Sequence, residues 1–436
     1  MSRLLKAMVL VATSAAALAA GPLAAQDMVI VNATVATGDG SAPVENGVVI
    51  VDDGKITYAG PAAGAGSFAT DAVVDVQGKW VTPGLFIPVT DLGLWDVGAV
   101  QSSNDTEAGN ARFGASLDAS TAVNEASQHI VVSRNGGVTR ASIVTGPGNS
   151  IFAGQGAVID TGADTDPIVE ARTFQMVVLG ERGGRIAGGT RVAAFSEFAN
   201  AMREAADFAA GRWSGDGNLL TRADAQALGK VISGEQALYV AVERAADIRA
   251  VLGLKRSYPR LDLVLLGASE GWLAAREIAA AGVPVIADPI DNLPSSFEQL
   301  AATQSNVGRM VDAGVKVALG GLSGGITAPR TAPQMAGNLV SLSRIPGAAG
   351  LSWGEALASI TSVPAQISGY GGRFGVLAPG AAGDVVIWDG DPLEVGSAVT
   401  QVFIDGVEQP LDNHQTRLRE RYRTLDESSL PKAYDW

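Results

Sequence analysis

The chain contains no cysteine, which excludes disulfides, thiolate metal sites and cysteine nucleophiles. Imidazole is nearly as scarce: His129 and His414 are the only histidines in 436 residues. Histidine-rich metal chemistry therefore has few ligands to draw on. Basic charge is short as well, with 31 Lys and Arg against 45 Asp and Glu, a formal net charge of −14. An acidic chain repels phosphate backbones, and no basic cluster is long enough to reverse that, so no nucleic-acid partner is expected. Beyond the N-terminal leader no stretch is apolar for long enough to span a membrane.

What is present describes a well-buried, loop-rich globular protein: 47% hydrophobic residues, 17% charged residues and 54 glycines. The length suits one large barrel or two to three domains. Residues 1–25 read as a secretory signal. Arg3 and Lys6 precede the apolar run AMVLVATSAAALAA, and small residues before Gln26 suit cleavage after Ala25. A retained membrane anchor is the alternative, which the shortness of the run disfavours. The expected product is an exported protein, secreted to a periplasm, two charge units more negative once Arg3 and Lys6 are gone.

Residues 26–82 carry apolar runs around GDGSAPVENG and around Asp53-Gly54, a hairpin signal. They predict the first part of a small β domain. From 83 to 375 apolar strands alternate with alanine-rich helical stretches, which predicts parallel strands with crossover helices. That length fits a (β/α)8 TIM barrel, with a doubly wound open sheet as the alternative. Strand patterns return in DVVIWDG and VTQVFIDG, so residues 376–410 predict the second part of a β-sandwich formed from both chain ends. The tail, 411–436, is charged and partly helical in pattern.

Three stretches carry a resemblance. DGKITYAG followed by VDVQGKWVTPGL (74–85) looks like an entry from a β-sandwich into a first barrel strand. APGAAGDVVIWDGDPL (378–393) looks like the exit, and VFIDGVE (402–408) like the closing strand. With these motifs the chain resembles the amidohydrolase superfamily, in particular its imidazolonepropionase-like and dihydroorotase-like members, and above all an exported imidazolonepropionase-like one. The resemblance implies an α/β fold and hydrolysis of non-peptide C–N bonds by one or two divalent metals at the C-terminal mouth of the barrel. Such an ion lowers the pKa of bound water to about 7.

The resemblance also implies ligand positions: a His-x-His pair after strand one, Lys or Glu after strand four, His after strands five and six, and Asp after strand eight. Here Val89 and Asp91 fall on the His pair, Ala241 on strand five, Leu266 or Gly267 on strand six, and Leu322 on strand eight. Glu181 is nearest to strand four and equally suits the opening of a helix. Valine, alanine and leucine have no donor atoms. His129, before IVVS, is placed on the N-terminal side of a strand, the wrong end of a barrel, and His414 in the tail.

Asp91 and Asp288 remain as candidate catalytic carboxylates near strand ends. They could act as an acid/base pair or hold a hard cation. Structurally, Asp91 suits a turn cap and Asp288 a strand exit before Pro289. TGPGNSIFAGQGAVI (145–159) lacks the spacing of a phosphate or dinucleotide motif and reads as a barrel loop. GGLSGG (320–325) is not a nucleophile elbow. TRLRERYRTL (416–425) reads as a solvated or partner-facing helix.

The expectation is an amidohydrolase-fold protein that has lost its metal site, with no cofactor. It would bind a small molecule in the barrel mouth, or pair with an active histidine-bearing homologue or a second copy of itself. The alternative is a working C–N hydrolase acting on a cyclic amide or dipeptide-like substrate. A divalent metal, zinc or a hard cation, would then be held by carboxylates or a partner chain. A purely structural subunit is a third reading.

Overall fold

A computed structural model describes residues 27–67, 72–215, 217–320 and 329–423. The expected leader lies outside them. Two eight-stranded sheets organise these residues.

The first sheet holds β1 (Met28–Val35), β2 (Val44–Asp52), β3 (Lys55–Pro61), β4 (Val73–Asp75) and β5 (Trp80–Pro83). Asp53 and Gly54 both take positive φ, 48° and 70°, the turn that the Asp-Gly pair requires to join β2 and β3. The far end of the chain completes this sheet with β14 (Val385–Trp388), β15 (Val399–Ile404) and β16 (Val407–Glu408), once the barrel strands have intervened. β14 pairs antiparallel with β5, setting Trp388 opposite Trp80. The small β domain is therefore built from both chain ends around a core that includes Ile30, Val49, Ile56, Val81, Ile387 and Phe403.

The second sheet is the barrel. Its strands are β6 (Leu85–Thr90), β7 (Val138–Ile143), β8 (Phe152–Asp160), β9 (Ile168–Val178), β10 (Ala237–Val242), β11 (Leu263–Gly267), β12 (Val285–Ala287) and β13 (Val317–Leu319). They hydrogen-bond in that order, and β13 lies against β6, so the barrel is nearly closed. Alternation along each strand divides the side chains. On β10, Leu238, Val240 and Val242 face the outer helices, while Tyr239 and Ala241 face inward.

Two expectations are revised. β8 runs antiparallel to both β7 and β9, so one of the eight staves is reversed. Its residues belong to the segment read from sequence as a loop. Gly154, at φ +97°, and Gly156, whose missing Cβ leaves room for the Phe174 ring, let a glycine-rich stretch lie in the sheet. Second, IVVS is helical. Gln128–Arg134 forms a helix whose N-cap, Ser127, accepts from the His129 backbone N–H. The β-branched pair Val131-Val132 suggests a strand, but packing of Ile130 into the core overrides that preference.

One buried ion cluster ties the two units together. Arg140 on β7, 3% exposed, donates to both Asp384 oxygens at 2.8 and 2.9 Å and to Asp405 at 2.7 Å. Asp160 of β8 lies 3.6 Å away, and burial pushes its carboxyl up to about 6.

Candidate functional site

Catalytic groups of such a barrel sit at the C-terminal ends of its strands. Here the inward-facing positions there are hydrocarbon. Val89, Val178, Leu266 and Ile286 belong to one packed interior cluster with Val144, Met176 and Tyr239, and Ala241 lies against it. Val89 is only 5% exposed. Gly267, the other strand-six candidate, carries no side chain at all. Leu322 lies outside the described residues; the sequence there, GLSGGITA (321–328), holds no carboxylate or imidazole.

Polar groups follow the strand ends beyond this plug. Asp91 follows β6, half-buried, with its backbone carbonyl accepting from Leu94. Asp288 follows β12 and accepts from the backbone N–H of Ile290 at 3.0 Å, the turn-forming role open to it at a strand exit. Glu181 stands in the first turn of the helix Gly180–Ile186, where it meets Arg185 and Arg191. Arg191 also bonds Asp247 at 3.0 Å and Glu298 at 3.3 Å. Among the described residues no group of three or more Asp, Glu or His converges in a metal-holding arrangement.

The most developed cluster lies between strands five and six and was not singled out from sequence. Glu243 begins the loop after β10, and its Oε2 accepts from the Ser269 backbone N–H at 2.9 Å and hydroxyl at 2.6 Å. Its Oε1 fills the space above Gly267. Burial, with Glu298 and Asp291 nearby, pushes this carboxyl up to about 6 against the Ser269 bonds. Asp291 is raised too, by burial and by Asp288. Ser269 has one proton, which goes to Glu243; its 3.1 Å contact with Asp291 becomes a hydrogen bond when Asp291 is protonated. Gln299 donates to the same hydroxyl at 3.0 Å. The only sequence signal was position, since Glu243 stands two residues after Ala241.

His129 also moves from its expected place. It packs against Trp95, in the loop after β6, with centroids 3.7 Å apart and planes tilted by 32°, and its Nε2 lies 3.0 Å from the Asp96 carbonyl. That is the mouth side of the barrel, because the crossover helix starts there and runs back. Its ring is engaged by the loop. His414 opens the exposed helix His414–Tyr422, outside the barrel.

Residues 194–408 match the Amidohydrolase family. A 70-residue stretch is 47% identical to the imidazolonepropionase of Caulobacter vibrioides, covering 15% of this chain and 18% of that protein. A 60-residue stretch is 50% identical to amidohydrolase tasK of Hapsidospora irregularis, covering 14% of this chain and 6% of that protein. These matches span less than a fifth of either relative's own length. Over the whole fold the chain is similar to the crystal structure of an amidohydrolase from Thermotoga maritima, with a TM-score of 0.76, 23% identity, and coverage of 87% of this chain and 99% of that one. The barrel and the return to the sandwich agree with these matches, which support an amidohydrolase superfamily, imidazolonepropionase-like member.

Proposed function

We propose that this protein is an exported amidohydrolase-fold subunit without a metal-dependent hydrolytic centre, acting by binding a ligand or a partner. One observation carries the reading: Val89, Ala241 and Leu266, at the ligand positions of strands one, five and six, form or border a single hydrocarbon plug. The family's divalent metal needs lone-pair donors there. The donor set does not fit it. The partner expected is a histidine-bearing homologue or a second copy of the chain.

Metal content tests this directly. Purified, dialysed protein should hold well under one tenth of an equivalent of zinc, iron or manganese by elemental analysis, as expected for a site lacking donors. Near one equivalent retained through dialysis would overturn the proposal.

A second reading is a C–N hydrolase completed by carboxylates or by a partner chain. Glu243 favours it, being buried at the mouth with a carboxyl that burial pushes up to about 6, toward the range suited to acid/base work. Asp91 and Asp288 are the other candidates. Hydrolysis of cyclic amides or dipeptides that disappears in both Glu243→Gln and Asp91→Ala would support this reading. Turnover indifferent to both would remove it.

A further inference from the structure

The loop after β12 turns polar groups inward and apolar groups outward. Glu298 is buried and accepts from the Glu181 backbone N–H at 2.6 Å and from Arg191. Gln299 is buried and donates to the Ser269 hydroxyl at 3.0 Å. The Ala301 carbonyl accepts from the Trp272 indole N–H at 2.9 Å, and the Asn292 side chain accepts from the Gln304 backbone N–H at 3.3 Å, tying the ends of the loop together. Ile290, Leu293, Phe297 and Leu300 meanwhile stand between 48% and 83% exposed. A loop pinned by buried polar anchors cannot fold such groups away. Single apolar residues on a surface are ordinary, but four large ones along one pinned loop mark a contact surface.

A second segment also lacks cover. The helix His414–Tyr422 has nine residues and buries none of them. Isolated helices shorter than about 12 residues are marginal in water, so this one needs a surface to lie on. Leu418 and Tyr422, four residues apart, share a face, with Arg417 and Arg421 beside them. Arg417 pairs with Asp412 and Arg423 with Glu420, while Arg419 and Arg421 make no ion pair among the described residues.

Loop and helix are complementary in chemistry. Residues 288–308 contain Asp288, Asp291 and Glu298 but no Lys or Arg, so an arginine-bearing helix meets no like charge there. They stand at opposite ends of one barrel. The loop follows a strand end at the mouth. The helix leaves from the foot, where Arg134 and Asn135, just before β7, donate to the Pro410 and Leu411 carbonyls.

We propose that the loop around Phe297 is the docking surface for the helix His414–Tyr422 of a second copy of this chain. Leu418 and Tyr422 pack on the apolar loop, with the arginines toward its carboxylates. Two barrels side by side with their axes opposed make this contact twice, a closed twofold pairing. The inference rests on the reading that the chain acts through a partner, and names that partner and its surface. So small a contact belongs to the transient class, so dilute protein is monomeric and its loop bare.

Sedimentation velocity on the whole chain, from about 1 to 300 µM at low salt, spans the range of weak association and tests the pairing. A reversible monomer–dimer equilibrium is expected, with a dissociation constant on the order of 10 to 100 µM. Phe297→Ser on one surface and Tyr422→Ser on the other should each weaken it at least about tenfold. Arg421→Glu should weaken it too, and the association that remains should depend less on salt. All three positions are exposed, so the dilute variants should keep the parent's circular dichroism. A monomer at every concentration would overturn the proposal, as would a dimer that either surface variant leaves intact. Neither result alters the metal content, so this pairing and the loss of the metal centre fail separately.

Discussion

Glu243 and Gly267 share one small volume at the barrel mouth: a Cβ on Gly267 would stand 2.1 Å from the Glu243 Oε1. The glycine is at φ +84°, so backbone and space both demand it. A carboxylate from strand five therefore occupies the place where a strand-six side chain would project.

Gly267→Ala should destabilise the fold by about 2 kcal/mol or more, adding left-handed strain to a clash with a buried carboxyl. Urea denaturation checks this. Adding Glu243→Gln should not restore stability, since the amide fills the same space. Recovery in the double variant would show that charge, not volume, sets the cost.

The Glu243 carboxyl, pushed up to about 6, binds its proton more tightly folded than unfolded. Asp160 does the same. Such groups stabilise the fold while protonated, so stability should fall as pH rises from about 4.5 through 6. Denaturation midpoints measured across that window should decline in the native protein and decline less in Glu243→Gln. An unchanged slope in the variant would mean that Asp160 alone carries the effect.

Arg140 donates to Asp384 at 2.8 and 2.9 Å with both side chains almost wholly buried. Arg140→Met leaves Asp384 charged and unpaired, and should cost about 3 to 5 kcal/mol. Asp405 is 57% exposed, so Asp405→Asn should cost less than about 1 kcal/mol. Equal losses in the two variants would contradict a buried pair locking the barrel to the β domain.

Val89 and Asp91 are two residues apart and should behave oppositely. Val89→Asp puts a charge among Leu266, Met176 and their neighbours and should cost about 3 kcal/mol or more. Asp91→Ala on the rim should stay within about 0.5 kcal/mol of the parent. Thermal unfolding of the pair checks both. A well-tolerated Val89→Asp would indicate a wet, polar mouth and favour the hydrolase reading.

Phe297 and Leu293 stand 83% and 79% exposed in the loop after β12. Phe297→Ser should leave the unfolding midpoint unchanged within about 0.5 kcal/mol, because almost no apolar surface is lost from the fold. It should lower binding of a hydrophobic dye. A marked loss of stability would mean that the side chain is covered in solution.

Much was legible before any folding. Alternating strands and helices announced the barrel, and Asp53-Gly54 announced its hairpin. DVVIWDG did return to the sheet begun at β1, as its apolar run suggested. The lack of donors at Val89, Ala241 and Leu266 also needed no coordinates, because an aliphatic side chain has no lone pair in any fold.

Three things were decided only by tertiary structure. The reversal of β8 depends on Gly156 passing beneath Phe174, a contact no local preference encodes. Helix Gln128–Arg134 replaced an apparent strand, and so carried His129 to the mouth side, because core packing outweighed β-branching. The Glu243–Ser269 and Arg140–Asp384 bonds join residues 26 and 244 positions apart. Sequence determines which atoms a residue can offer, and short-range patterning determines the elements. Which distant groups share a volume is settled when the sheet closes, and the proton affinity of Glu243 is set by that enclosure.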